Sequence, residues 1–182
     1  MSSDLQMRLI LASSSPRRKD LLESAGVNFE IIPADVEEDN AGDDDPEAMV
    51  RANAELKASW VAERHVNRFV LGSDTTVHLD GRVLNKPRDW KDAKAMLRRL
   101  SGRTHVVYTG VSLQNVSSGL CETFSVRSEV TFNRLDNATI DCYFSIVNPL
   151  DKAGAYGIQE GTEIVIESYV GSHSNIMGLP ID

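Results

Sequence analysis

The chain carries two cysteines in 182 residues, Cys121 and Cys142, with neither a CxxC spacing nor a histidine beside them. That excludes a disulfide scaffold and leaves no zinc-ribbon pattern, so free thiols, buried or incidental, are expected. Histidine is scarce too, with four scattered residues that form no metal-ligand spacing. No apolar run approaches the roughly 18 residues of a bilayer span. The opening Met-Ser-Ser-Asp-Leu-Gln-Met-Arg carries no secretory apolar core, which leads to the expectation of a cytoplasmic protein with no membrane partner. Positive charge is in deficit: 19 Lys and Arg face 27 Asp and Glu, a formal −8, which leaves no electrostatic footprint for nucleic acid. Neither the P-loop spacing of glycines before Lys-Ser/Thr nor a dinucleotide fingerprint occurs, so P-loop ATPases and dinucleotide enzymes fall away. Internal repeats and low-complexity linkers are missing. A chain of this length, 41% hydrophobic, can bury one core, and a single domain over residues 1–182 is expected.

What is present alternates between strand and helix. Residues 9–12 read as a short buried strand, 17–25 as a helix with Leu21, Leu22 and Ala25 on one face and Gly26 closing it, and 29–33 as a second strand. An acidic loop follows, and Pro46 opens an alanine-rich helix through about residue 62 that carries Lys57. Residues 69–71 form an apolar strand that stops at Gly72, and 77–84 a hairpin turning on Asp80-Gly81. Trp90, Ala93, Met96, Leu97 and Leu100 make the apolar stripe of a helix over 90–100. Strands are expected over 106–113 and 120–132, a helix over 135–147 with Asp136 as N-cap, an ordered loop over 149–161, and a last strand over 163–169. The fold class is α/β, a mixed central sheet flanked by helices.

The chemistry concentrates at loops. In Leu11-Ala-Ser-Ser-Ser-Pro-Arg-Arg18 an apolar strand runs into hydroxyls, a proline and two arginines where a helix begins. Free helix N–H groups, Ser13 and Ser15, and the guanidinium forks of Arg17 and Arg18 there meet one small volume, as a polyphosphate requires. The same arginines also read as solvated helix residues. Asp74, at the end of the strand before it, suits a Mg²⁺ ligand or a water-orienting carboxylate, or equally a turn cap. Glu37 and Glu38 add oxygen ligands or a solvated acidic face. Lys57 is individually unspecific, and Lys86 is set between Asn85 and Pro87, which fixes its exit direction. Gln159, after a glycine-bearing stretch, can donate and accept toward a base or simply hold the loop, and Lys152 and Tyr156 read mainly as structural loop residues. A cationic cradle beside a carboxylate points to hydrolysis of a nucleotide phosphoanhydride.

These blocks together resemble the Maf (septum-formation inhibitor) family of nucleoside triphosphate pyrophosphatases over residues 8–180. The resemblance is carried by residues 11–18, Glu37-Glu38, Lys57, Gly72-Ser-Asp-Thr75, Asn85-Lys-Pro87, Leu100-Ser-Gly-Arg-Thr-His105, residues 151–159 and Gly178-Leu-Pro180. It implies an inosine-triphosphatase-like α/β architecture with a cleft between two closely joined lobes, a cytoplasmic homodimer, and divalent-metal-dependent conversion of a nucleoside triphosphate to monophosphate and pyrophosphate. Mg²⁺ or Mn²⁺ would be held by Glu37, Glu38 and Asp74, with Asp74, Lys57 and Lys86 in the chemistry and Ser13, Ser15, Arg17, Arg18 and Gln159 on the substrate. Ser-Pro-Arg-Arg18 and Ala-Tyr-Gly-Ile-Gln159 are similar to the dTTP/UTP-type members, against a 7-methyl-GTP type with tryptophan in the first block and an acidic residue in the late one. The resemblance is departed from at Ser73, where alanine is commoner, at Asn85, where glycine is, at Glu160 in place of glycine, at His173 in place of tyrosine, and in ending before the family's terminal helix. A noncatalytic nucleotide-binding regulator of division is the alternative, and a scaffold protein the third reading.

Overall fold

Each apolar run becomes a strand of one sheet. The computed structural model describes residues 9–182; residues 1–8, on which the missing secretory core and the first residue of the family resemblance fall, lie outside the described residues. Strands β1 (Leu9–Leu11) and β2 (Phe29–Ile31) are parallel and joined by α1 (Pro16–Ser24). After α2 (Pro46–Ala62), β3 (Val70–Leu79) lies parallel to β1 on the other side. The rest of the sheet is antiparallel: β4 (Arg82–Leu84) folds back on β3, and β5 (Thr104–Asn115), β6 (Leu120–Phe132) and β7 (Ile166–Val170) extend it, giving the order β2-β1-β3-β5-β6-β7. The β3–β4 turn places Asp80 (φ 53°) and Gly81 (φ 71°) in the left-handed region, the two-residue turn that Asp-Gly favours.

The strand read as stopping at Gly72 does not stop there. Residues 70–78 pair continuously with β5, so Asp74 stands in the middle of β3, opposite Gly110. On its other edge β3 pairs with β1 at Val70 and Leu71 and with β4 only from Val77 onward. Gly72 to Thr76 therefore face a notch where β1 has ended and β4 has not begun. That notch, rather than a strand end, is where the polar residues sit.

The notch also divides the core. Val70 packs with Ile10, Ala58 and Val61, and Leu71 with Leu11, Leu21 and Leu22, whereas Val77 and Leu79 join a larger cluster with Leu97, Phe132, Ile140 and Tyr143. Helix α2, capped by Asp45 and opened by Pro46, crosses the middle of the sheet. Its close approach depends on two glycines. A Cβ on Gly72 would lie 2.2 Å from the Ala54 carbonyl oxygen, and one on Gly110 would lie 2.2 Å from that of Val50. Both obstacles are backbone, which cannot swing aside. Gly72→Ala is expected to destabilise the protein by about 2 kcal/mol, the scale of forced overpacking, and to move α2 away from β3. Chemical denaturation checks this, and an unchanged midpoint would show that the helix does not need the glycine.

Helix α3 (Trp90–Leu100) is capped by Asp89 and buries Ala93, Leu97 and Leu100, but Trp90, at the N-terminal end of the stripe, is 48% exposed and edge-on to Phe144. Ala25 is likewise exposed, while Leu21 and Leu22 are buried. Asp136 caps α4 (Asn137–Ile146) as read, accepting from the Thr139 N–H at 2.8 Å, with Ile140, Tyr143, Phe144 and Val147 buried. The last strand begins three residues later than expected, because a helical turn, α5 (Thr162–Val165), precedes it and is pinned by the Thr162 hydroxyl donating to the Ile158 carbonyl at 2.6 Å. A short α6 (His173–Met177), capped by Ser172, had no strong sequence signal. Both cysteines are unpaired and exposed, incidental rather than buried.

Candidate active site

The β1–α1 junction opens directly onto the notch. Ser13 is buried, and its hydroxyl accepts from the Ser15 N–H at 3.3 Å and from Arg18 Nη1 at 3.0 Å. Ser15 occupies the N-cap position of α1 without capping the helix through its side chain. Among the described residues no side chain caps the first N–H groups of α1, which leaves them for another acceptor. Arg18 is buried and oriented on three sides: besides Ser13, its Nε donates to the Gly178 carbonyl at 2.8 Å and its Nη2 to Thr75 Oγ1 at 3.1 Å. Burial lowers its pKa from the ordinary arginine value, and the charge of Asp74 opposes that. Arg17 points the other way, its Nη1 3.1 Å from Asp151 Oδ2 and its Nη2 donating to the Asp151 carbonyl at 3.3 Å. Asp151 also accepts from Lys152 Nζ at 2.8 Å. The late loop therefore meets the first loop at Asp151, through both its carboxylate and its backbone carbonyl.

At the centre lie Lys57 and Asp74, 8% exposed each. Lys57 Nζ is 2.9 Å from Asp74 Oδ1 and 2.8 Å from Glu38 Oε2, and it donates to the Ser73 carbonyl at 3.3 Å. Asp74 Oδ2 accepts from Asn53 Nδ2 at 2.9 Å. The same Asn53 amide donates to the Asp39 carbonyl at 2.7 Å and accepts from the Asp39 N–H at 2.9 Å. It holds the acidic loop beside Glu38. Burial by itself would raise the Asp74 pKa, but the positive charges of Lys57 and Arg18 and the hydrogen bonds from Lys57 and Asn53 outweigh it and hold the carboxyl below its ordinary value. An ionised carboxylate with two fixed donors is a strong acceptor and a weak base.

The structure brings Ser13, Arg18, Glu38, Lys57 and Asp74 into one network; Arg17 stands at its rim. Glu37, Lys86 and Gln159 are exposed loop residues, and no hydrogen bond or ion pair among the described residues joins their side chains to it. Among the described residues, no three His, Cys, Asp or Glu side chains cluster as a ready metal cage. Glu38 and Asp74 instead share one ammonium. Lys152 has the structural part read for it, donating to the Asn148 carbonyl at 2.9 Å, and Tyr156 is buried against His105, 2.7 Å from its Nε2. His173 tilts against Tyr169 at 5.7 Å. Sequence reasoning gave no role to Asn53, Thr75 or Gly178. Asn53 was within reach, because it precedes Lys57 by four residues and so shares its face of the helix. Gly178 acts through a backbone carbonyl, which carries no side-chain signal.

The family description Maf-like protein matches residues 8–182. A dTTP/UTP pyrophosphatase of Bacillus mycoides (strain KBAB4) is 49% identical over 96% of this chain and 90% of its own length. A dTTP/UTP pyrophosphatase of Bacillus cytotoxicus is 48% identical over the same shares. Among solved structures, the Ham1 protein of Staphylococcus aureus aligns over 69% of this chain and 71% of its own, with a TM-score of 0.48 and 13% identity.

Proposed function

This chain belongs to the Maf-like protein family, the premise from which we propose that it hydrolyses dTTP and UTP to the nucleoside monophosphate and pyrophosphate. The observation that carries the reading is the buried pair Lys57–Asp74 at a notch open to the β1–α1 junction, which puts a cation, an ionised carboxylate and free helix N–H groups around one volume. The relatives named dTTP/UTP pyrophosphatase, nearly half identical over almost the whole chain, support the substrate.

Water attacks the α-phosphorus, the bond from that phosphorus to the bridging oxygen breaks, pyrophosphate leaves with that oxygen, and the proton lost by the water passes to bulk solvent. Asp74 accepts a hydrogen bond from the water and aims it, while its depressed pKa keeps it ionised throughout. Lys57 and Lys86 stabilise the charge that grows toward the leaving group. Ser13, Ser15 and the α1 N–H groups receive the phosphate chain. Arg18 has three donors already committed to the protein, so it supplies fixed positive charge, and Arg17 exchanges Asp151 for a phosphate. The donors near Lys57 are carboxylate oxygens, which fit a hard divalent cation. Glu38 and Asp74 would hold Mg²⁺ or Mn²⁺, with Glu37 adjacent, and the ion would withdraw charge from the triphosphate. Gln159, exposed on the late loop, offers the paired donor and acceptor that match the O4 and N3–H edge of thymine and uracil. We further propose, as the family resemblance implies, a cytoplasmic homodimer, and the net charge of −8 gives no electrostatic footprint for nucleic acid; among the described residues no helix is long and apolar enough to cross a membrane.

Incubation with dTTP or UTP and Mg²⁺ or Mn²⁺ is expected to release monophosphate and pyrophosphate in equal amounts. Orthophosphate with diphosphate would overturn the bond assignment, and faster turnover of 7-methyl-GTP would overturn the base. Tight dTTP binding without any product would make the protein a nucleotide-binding regulator instead.

A further inference from the structure

The acidic loop that carries Glu38 has neither helix nor strand to hold it, yet it must keep a carboxylate 2.8 Å from Lys57. Its attachments are few. Asn53 takes both backbone groups of Asp39. The next hold is Asn85, at the exit of β4: its Nδ2 donates to the Asn40 carbonyl at 3.1 Å, while its Oδ1 accepts from the Thr76 hydroxyl at 3.1 Å. Further out, the Val83 N–H donates to Asp43 Oδ1 at 2.7 Å and His78 Nε2 lies 3.3 Å from the Asp43 carbonyl oxygen.

We propose that Asn85 is a positioning residue for the metal-ligand loop, its amide bridging β3 to Asn40 so that Glu38 stays over the Lys57–Asp74 pair. Three features support the assignment. The amide is oriented without ambiguity, because the Asn40 carbonyl can only accept, so the NH₂ must face it and the oxygen must face Thr76. Thr76 follows Asp74 by two residues on β3, so the bridge is referenced to the strand that bears the carboxylate rather than to another loop. The backbone of Asn85 joins the same assembly, its carbonyl accepting from the Gly154 N–H of the late loop at 3.3 Å, with Lys86 the next residue. One side chain thus ties β3, the acidic loop and the hairpin exit together. Glycine at this position, as the family resemblance leads one to expect, would keep the backbone link and lose both side-chain ones.

The link to metal rests on the function proposed above, and the test separates the two. In Asn85→Ala, Asn40 is released, and with the loop unanchored beyond Asp39 the bonds of Asp39 to Asn53 open more often. NMR exchange of the Asp39 and Ala41 amides, the latter bonded to Asp39 Oδ1, is expected to speed up about tenfold in the metal-free protein, with β3 amides unchanged. Mn²⁺ binding without nucleotide, measured by calorimetry, is expected to weaken about tenfold, the lower end of the effect of losing a group that orients a ligand. KM for dTTP at saturating metal should stay near the wild-type value. Asn85→Asp, isosteric but facing the Asn40 carbonyl with an acceptor, should loosen the same amides. Unchanged exchange in both variants overturns the proposal, and so does loss of cooperative unfolding in both, which would make Asn85 a residue of the fold. If wild type releases no pyrophosphate, the proposed function falls while the exchange data still judge Asn85. If wild type takes up no Mn²⁺, exchange alone decides.

Discussion

Asp74→Asn is expected to cut turnover of dTTP by about 10²-fold or more, the scale for losing a group that aims water or holds a catalytic cation, while the protein stays folded. The substitution keeps the shape and removes the charge. The asparagine oxygen can still accept from Lys57, but its NH₂ then faces Asn53 Nδ2, which now donates to Oδ2. Donor against donor in a buried site costs about 1–3 kcal/mol. The affinity for triphosphate should change less than turnover, because Ser13 and the α1 N–H groups are untouched. Single-turnover rates and KM for dTTP measure the split, and turnover within about threefold of wild type would remove Asp74 from the chemistry. The depressed pKa adds a second expectation: ionisation of Asp74 should not produce a limb of the kcat profile near pH 7. A limb there that disappears in Asp74→Asn would mean that the carboxyl is a tuned general base instead.

The contrast between what the sequence disclosed and what it hid lies in how local each signal is. Pro46, Asp80-Gly81 and Asp136 are local chemistry acting on local backbone, and the elements they start or turn stand where they were read. The same holds for Ser-Pro-Arg-Arg18 at a strand-to-helix junction. Asp74 was misplaced at a strand end because Gly72-Ser73-Asp74 reads as a polar stop. Those residues stay in the strand because β5 pairs with them on one side and α2 covers them, an arrangement made possible by glycines 38 positions apart in the chain. Trp90 obeyed the helical period yet stayed half exposed, since it is the first residue of its helix and rests edge-on against Phe144. The pairing of Arg17 with Asp151 and of Arg18 with the Gly178 carbonyl spans more than 100 residues and is set by the meeting of three loops. The arginines were legible as an anion site; which of them is free to serve the anion was not.

That difference in freedom also decides what Lys57 does. Removing its charge as Lys57→Met leaves Asp74 buried with Arg18 and the Asn53 hydrogen bond as its remaining support, and takes away the larger of its two coulombic stabilisers. Breaking a buried pair from one side costs about 3–5 kcal/mol, because the survivor keeps its desolvation penalty. The Asp74–Arg18 attraction places the expected loss near the lower end, about 3 kcal/mol, and turnover should fall by at least about 10²-fold with the loss of charge stabilisation at the leaving group. The sign of the pH dependence distinguishes a broken ion pair from a simple cavity. In wild type the Asp74 pKa lies below its unfolded value near 4, so the pair's stabilisation is present above that pH and is lost as pH falls through the folded value. In Lys57→Met, burial is less opposed and the carboxyl titrates at higher pH than in wild type. The unfolded carboxyl is the same in both proteins, so the stability gap should be widest at neutral pH and narrow as pH falls through the variant's higher folded value and then the lower wild-type one. Urea denaturation from pH 7 to pH 3 measures it. A gap that stays constant across that range would mean that Lys57 contributes packing of its methylene stem alone, and the ion pair with Asp74 would lose its place at the centre of the site.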